Sequence, residues 1–168
     1  EAMRAYPFGH KGLQYGSFRE GIHFALETMD HLANQAAIEK RPFRVVDVGG
    51  GHSGDLWDGR VTAVVDLSRN ADLADDVEFY KIDISCEEQW KSIEDDLLKN
   101  GKFDFCICRH TLEDLDSPKV TTKWLSKLAD VGYIGVPSYF TELSRSKSHR
   151  AGEEYISPGI IESMRGYT

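Results

Sequence analysis

The chain has 168 residues, 40% of them hydrophobic, and Lys+Arg 20 against Asp+Glu 28 give a formal net charge of −8. This length suits one α/β domain with a substantial core, and the hydrophobic content excludes a disordered chain. The acidic balance argues against a duplex nucleic-acid partner, which usually requires a basic face. No apolar run is long enough to span a bilayer and the three cysteines suit a reducing compartment, so we expect a cytoplasmic protein without a membrane partner.

One domain is predicted, and it begins with an irregular lead-in over residues 1–17. An amphipathic helix follows over residues 18–41, where apolar residues recur at three- and four-residue spacing until Pro42. Five short β-rich segments come next, at residues 44–48, 61–66, 77–82, 103–108 and 133–136, within a core over residues 44–136. Runs that are apolar on both faces predict the central strands of a parallel sheet.

Two helices are predicted between the third and the fifth of these strands. Ser85 and Glu88 have the spacing of a capping box, and Gly101 supplies a left-handed stop. Ser117, followed by proline, opens the second helix, and Gly132 closes it. The alternation predicts an α/β fold with a doubly wound, mostly parallel sheet, in which ligands bind beyond the carboxyl ends of the strands where the strand order reverses.

A glycine cluster, GGGHSG at residues 49–54, follows the first predicted strand and matches the pattern G-x-G-x-x-G. Such a cluster is often only a tight turn, and the pattern by itself leaves that alternative open. The second predicted strand ends in Asp66, where a carboxylate can accept from both hydroxyls of a ribose. Together the two features predict an adenosine-containing ligand.

Two further features favour S-adenosylmethionine over a dinucleotide. Asp47 lies two residues before the first glycine, where a carboxylate repels a pyrophosphate and attracts an ammonium or sulfonium group. Only residues 55–60 separate the last glycine from the second strand, which is too short for the full helix whose N-terminus holds a pyrophosphate. A ligand without phosphates does not need that helix.

At these residues the chain resembles class I S-adenosylmethionine-dependent methyltransferases, which have a Rossmann-like fold. VVDVGGG at residues 45–51 resembles their first motif, Asp66 matches the acidic end of the second strand, and KIDI at 81–84 matches the third-strand motif. FDFCICRHTLEDL at 103–115 is similar to the fourth-strand segment of small methyltransferase-domain proteins. The resemblance covers residues 44–144.

The resemblance implies the role of several side chains. Asp47 would orient the ammonium group of the methionine part, and Asp66 would bind the ribose. Asp83 would accept from the adenine amino group while Ile84 packs on the ring. The full set of implied cofactor-binding residues is Asp47, Gly49, Gly50, Gly51, Asp66, Leu67, Asp83, Ile84 and Arg109.

His110 and Glu113 are the candidate general bases at the end of the fourth strand. Structural alternatives stay open for their neighbours: Asp83 with Ser85 also suits a helix cap, and Arg109 could pair with Glu113 at the surface. Cys106 and Cys108 point the same way on one strand and suit core packing, and no metal site is predicted.

Segment 137–168, expected on the substrate or partner side, contains no convincing pair of strands, whereas a class I domain ends in two further strands. We therefore expect a sheet that lacks its last strands and whose exposed edge is covered in a homo- or hetero-oligomer. The predicted function is that of an S-adenosylmethionine-dependent methyltransferase, a transferase acting on a small-molecule or protein acceptor. The alternatives are a catalytically inactive methyltransferase-like binding module and an NAD(P)-dependent oxidoreductase.

Overall fold

A computed structural model describes residues 18–50, 57 and 59–136 of the chain. The lead-in at 1–17, Gly51 and the segment 137–168 lie outside the described residues. Within them the chain forms three α-helices, a short 3-10 helix at Leu112–Asp114 and five strands. The helices are α1 (Phe18–Ile38), α2 (Glu87–Leu97) and α3 (Pro118–Leu128), and the strands are β1 (Val45–Val48), β2 (Ala63–Asp66), β3 (Glu78–Lys81), β4 (Phe105–Arg109) and β5 (Gly132–Gly135).

The five strands form one parallel sheet in the order β3-β2-β1-β4-β5, which confirms the predicted α/β class with a parallel sheet. Asp47 of β1 lies opposite Val64 of β2 on one side and opposite Ile107 of β4 on the other. Because the chain winds from β1 towards β3 and then returns to β4 beside β1, the strand order reverses between β1 and β4. Ligands of doubly wound sheets bind in the crevice at such a reversal.

Helices cover both faces of this sheet. On one face, residues of β1 and β4 pack in a buried cluster with α2 and α3, where the rings of Trp90 and Trp124 stack with their centroids 5.2 Å apart. On the other face, Val45, Phe105 and Ile107 pack against Met29 of α1. Successive side chains of each central strand therefore pack on opposite faces of the sheet, as the runs of apolar residues predicted.

The end of α1 differs from its prediction. The helix ends at Ile38 and does not continue to residue 41. Lys40 adopts a left-handed φ of 55°, and the backbone N–H of Arg41 donates to the carbonyl of Ala36 at 3.0 Å. This six-to-one hydrogen bond is that of a Schellman cap. The cap ends α1 before the chain reaches Pro42, which was predicted to end it.

The capping box predicted for α2 is wrong. The N-cap is Cys86, and it makes no side-chain capping hydrogen bond. The backbone N–H of Ser85 instead donates to Oδ1 of Asp83 at 2.9 Å. A carboxylate that binds the backbone two residues ahead forms an Asx turn, and this turn takes Ser85 out of the helix.

The other helix signals have mixed outcomes. Gly101 has a φ of 82° after α2, and Ser117 with Pro118 opens α3, both as predicted. Gly132 does not close α3, since the helix ends at Leu128 and Gly132 is the first residue of β5. A Cβ atom on Gly132 would approach the carbonyl oxygen of Cys106 to 2.5 Å, so the close pairing of β4 and β5 requires glycine there. Across the described residues, no helix combines the length and apolar character needed to cross a bilayer.

The carbonyl of Ile84, three residues after β3, accepts hydrogen bonds from both α2 and α3. Removal of one of these bonds tests its contribution to stability. Nε1 of Trp90 and Oγ1 of Thr121 each donate to this carbonyl at 2.8 Å, and Thr121 is completely buried. Thr121→Val should lower the free energy of unfolding by about 1 kcal/mol in urea titrations, because a buried hydrogen bond is lost without a change of volume. Thr122→Val is the matched control, since the Thr122 hydroxyl is exposed and water replaces its bond to Lys119. Equal losses in the two variants would contradict this.

Candidate functional site

The turn after β1 is held at the strand-order reversal by contacts with both neighbouring strands. The backbone N–H of Gly49 donates to Val65 of β2 at 2.8 Å. Oγ1 of Thr111, just after β4, donates to the carbonyl of Gly49 at 3.4 Å and to that of Arg109 at 3.0 Å. Gly49 has a φ of 75°, and a Cβ there would come within 3.0 Å of Thr111, so both the backbone conformation and the space require glycine.

Asp47 lies beneath this turn. Asp47 is the third residue of β1, two positions before Gly49, and it is only 2% exposed. A Cβ on Gly50 would lie within 3.0 Å of the Asp47 carboxylate, so the backbone of Gly50 packs directly on that carboxylate. The turn at the strand-order reversal therefore lies over a buried acidic group, whose field is weakly screened by water.

The charge of Asp47 also affects the two cysteine thiols of β4. Burial raises the pKa of the Cys108 thiol to about 12, and the carboxylate of Asp47 contributes to the increase. Cys106 is affected in the same direction, with burial again the first cause. Both thiols are free and lie in the core that faces α2 and α3, which confirms the predicted packing role. Burial therefore disfavours the thiolate, the nucleophilic form of cysteine, at both positions.

The carboxyl end of β2 presents an acid beside an exposed apolar side chain. Oδ1 of Asp66 accepts from the backbone N–H of Ser68 at 3.1 Å, which fixes the direction of the carboxylate. Leu67 is 64% exposed, in contrast to the buried residues that precede it in β2. An exposed leucine next to an oriented carboxylate suits a ligand with one polar and one flat apolar part.

At the end of β3 the structure separates two residues that the resemblance puts together. Asp83 is exposed, and its Oδ1 accepts from Ser85 in the Asx turn that precedes α2, so that oxygen has a structural role although it does not cap the helix. Ile84 is 7% exposed and packs in the core with Trp90. The side chain of Ile84 is therefore mostly unavailable for packing on a ligand ring, because the adjacent core already holds it.

His110 follows β4 directly and has a strained backbone. Its φ is 50°, and the only other non-glycine residue with a positive φ in the described part of the chain is Lys40, which caps α1. A left-handed conformation costs a non-glycine residue about 1–2 kcal/mol. The backbone N–H of His110 donates to the carbonyl of Gly135 at 2.7 Å, so the pairing of β4 with β5 contributes to holding this conformation.

The imidazole of His110 pairs with the carboxyl group of Glu113. Nδ1 of His110 lies 3.3 Å from Oε1 of Glu113, and the two side chains are 40% and 13% exposed, respectively. The buried Oε2 of Glu113 has no hydrogen-bond partner within the described residues. Burial raises the pKa of Glu113 above its ordinary value, Asp114 raises it further, and His110 opposes both.

Arg109, the last residue of β4, lies beside β5. Its Cγ would be 3.2 Å from a Cβ on Gly135. Burial raises the pKa of Tyr133, and the charge of Arg109 opposes that increase. Arg109 therefore extends along β5, whereas Glu113 is paired with His110. Arg109 is on the same face of β4 as Ile107, which lies opposite Asp47.

Two residues with structural roles, one after the glycine turn and one after β4, were not identified from the sequence. Thr111 joins β4 to the glycine turn, as described above. Trp57 is completely buried, and its ring meets that of Tyr133 edge-on with centroids 5.8 Å apart. A tryptophan in the polar connection after a glycine turn could have indicated the buried position of Trp57. The sequence contains no comparable signal for Thr111. Over the described chain, no three His, Cys, Asp or Glu side chains are grouped as metal ligands.

Replacement of Glu113 by glutamine should stabilise the protein at neutral pH. Because the folded-state pKa of Glu113 is raised, its stabilising contribution is present below the unfolded pKa and is lost as the pH rises through the folded pKa. Glutamine is neutral at every pH, so Glu113→Gln should add on the order of 1 kcal/mol at neutral pH and almost nothing below about pH 4. Urea unfolding at both pH values measures this.

Glu88→Gln is the control of opposite sign. A hydrogen bond from its own backbone N–H lowers the pKa of Glu88, so its ionised form stabilises the fold at neutral pH and the variant should be less stable there. A loss of stability in Glu113→Gln at neutral pH would mean that the His110 ion pair outweighs the burial of the carboxylate.

Comparison of the chain with protein-family models, curated proteins and solved structures finds no match. The chemistry of the site is therefore inferred from its residues. At the carboxyl ends of the parallel strands these residues are a buried acid in β1, an acid and an exposed leucine at the end of β2, and a histidine–glutamate pair after β4.

Proposed function

We propose that this protein is a methyltransferase of the class I type that uses S-adenosylmethionine, as the sequence motifs suggest. The observation that carries the proposal is the 2% exposed carboxylate of Asp47, packed under Gly50 where the strand order reverses. A buried carboxylate at that point favours a ligand that brings positive charge to the turn. The ammonium and sulfonium groups of S-adenosylmethionine do so.

The same carboxylate argues against a dinucleotide. A pyrophosphate placed over Gly49 and Gly50 would lie above a weakly screened negative charge, which is unfavourable. Only residues 55–60 separate the glycine cluster from the predicted second strand, which is too short for a full helix whose N-terminus could offset that repulsion. Phosphate-free adenosine ligands avoid both difficulties.

The adenosine part is matched by residues at the carboxyl end of β2. Asp66 provides an oriented carboxylate for the ribose hydroxyls, and Leu67 provides exposed apolar surface for the base. Asp83 at the end of β3 is exposed at the same edge of the sheet and could accept from the amino group of adenine. Ile84 has a minor part in this proposal, because its side chain is buried in the core.

When bound, S-adenosylmethionine supplies an electrophilic methyl group on a sulfonium. The contribution of this chain is mainly one of position and charge. Gly49 and Gly50 let the backbone approach the ligand, Asp47 favours its ammonium group, and Asp66 fixes its ribose. Alignment of two reactants in this way supplies much of the rate acceleration in a displacement reaction.

Calorimetry with S-adenosylhomocysteine tests the proposal directly. We expect heat of binding for the full chain and none for NADH under the same conditions. Asp66→Asn should weaken binding about 10- to 100-fold, because it removes a charged acceptor from the ribose. The asparagine oxygen keeps the turn to Ser68, which is why this variant should fold normally.

Asp75→Asn is the matched control for that variant. Asp75 is an exposed residue of the same β2–β3 connection, and its replacement should leave the affinity within about twofold. Absence of heat at millimolar S-adenosylhomocysteine, or equal effects of the two substitutions, would contradict the proposed function.

A second candidate function is favoured by two exposed apolar residues, one in β5 and one directly after it. Ile134 and Val136 are 54% and 57% exposed, and a groove of about 380 Å³ between α3 and β5 includes Leu125 and Ala129. In a methyltransferase-like binding module, this edge would recognise a partner and Asp66 would be dispensable.

Sedimentation velocity separates the two functions. A dimer that Ile134→Lys abolishes and Asp66→Asn preserves, in a chain that binds no S-adenosylhomocysteine, would favour the binding module. Binding of the nucleoside with a monomer at all concentrations would favour the enzyme.

A further inference from the structure

The pair formed by His110 and Glu113 has a geometry that a purely structural role does not require. His110 is the residue between Arg109, at the end of β4, and Thr111, which touches the glycine turn. Its imidazole is 40% exposed at this edge, while the carboxyl group of Glu113 behind it is 13% exposed. An exposed imidazole backed by a mostly buried carboxyl group is the arrangement of a base and its orienting group.

The backbone of His110 supports the same interpretation. Its φ of 50° is maintained by the hydrogen bond from its N–H to Gly135 and by the anchoring of Thr111 on Gly49 and Arg109. Strained backbone conformations persist where the surroundings hold them, and such residues cluster at active sites. In the described chain Lys40 has a similar φ, but its conformation is explained by the cap of α1.

We propose that Glu113 holds His110 with its proton on Nδ1, so that Nε2 is the base that deprotonates a hydroxyl methyl acceptor. This inference rests on the proposed function and extends it by naming the acceptor class. Glu113 acts through His110 and is a positioning residue, whereas His110 would contact the acceptor. The 3.3 Å separation of Nδ1 and Oε1 is at the long end for a hydrogen bond, as is common in structures without a ligand.

The chemistry of the acceptor follows from what a base adds. A carboxylate has no proton to lose, an amine attacks through its lone pair before it loses one, and a thiol ionises readily near neutral pH. Phenols and alcohols ionise only at much higher pH, so they gain most from a positioned base. His110 removes the hydroxyl proton at Nε2 as the oxygen lone pair forms the new C–O bond. The C–S bond breaks, its electron pair stays on sulfur, and the products are a methyl ether and S-adenosylhomocysteine.

The proton position can be measured without any acceptor. Long-range proton–nitrogen correlation spectra of the full chain at mildly alkaline pH distinguish the two neutral tautomers of each imidazole. We expect His110, assigned by loss of its signals in His110→Asn, to carry its proton on Nδ1. Glu113→Ala should shift the population towards Nε2–H, and Glu113→Gln should shift it less because the amide oxygen still accepts. A predominant Nε2–H tautomer in the unaltered protein overturns the proposal.

Methyl transfer tests the acceptor class. Isotope-labelled S-adenosylmethionine is offered with a panel of small alcohols and phenols and with the matching thiols. His110→Asn should lower transfer to hydroxyl acceptors roughly 10²- to 10⁴-fold, and Glu113→Gln about tenfold. Asparagine tolerates the left-handed conformation, so the first variant should fold, and the exposed His31→Asn on α1 is the matched control with unchanged transfer.

The outcomes separate this inference from the function on which it rests. Failure to bind S-adenosylhomocysteine contradicts the proposed function. Normal binding, combined with transfer only to the thiols, transfer to neither class, or transfer to alcohols that His110→Asn leaves unchanged, overturns the role of His110 while the cofactor site stands.

Discussion

The buried carboxylate of Asp47 is the constraint on which the turn after β1 depends. It lies against the backbone of Gly50, so no side chain larger than hydrogen fits there, and its charge lies directly beneath that turn. Gly49 adds a second requirement for glycine through its positive φ and its contact with Thr111. In the two described residues of the glycine cluster, glycine is therefore required by an acid below and a threonine alongside. In the proposed function, the field of that acid disfavours phosphate.

The order and type of the elements were predictable because each central strand is apolar on both faces and each helix has one apolar face. The ends of the elements were less so, because they depend on individual hydrogen bonds. The left-handed Lys40 ends α1 before Pro42, and Asp83 takes the N–H of Ser85 away from the predicted capping box. Neither choice is visible from spacing. Gly132 was misassigned for a related reason, since a glycine after a helix also suits a strand that pairs closely with its neighbour.

The positions of Asp47 and Asp66 were also predictable, because an acid at the end of a buried parallel strand must lie at the carboxyl edge of the sheet. The surroundings of these residues were not. Whether Ile84 faces a ligand or the core depends on how α2 docks, and Trp90 and Thr121 hold it in the core through its carbonyl. The contact of Thr111 with Gly49 joins residues 62 positions apart, which no local pattern encodes.

The turn after β4 combines two unfavourable features of different physical origin within four residues. His110 has a strained backbone, and Glu113 holds a carboxyl group in a place where burial opposes its charge. Stability alone offers no reason for either, because an asparagine or glycine would relieve the first and a neutral side chain the second. The two features are nevertheless linked by one contact, Nδ1 to Oε1, beside the glycine turn. The proposed role of His110 as a base accounts for both features together, because strained residues and buried charges cluster at sites where chemistry is carried out.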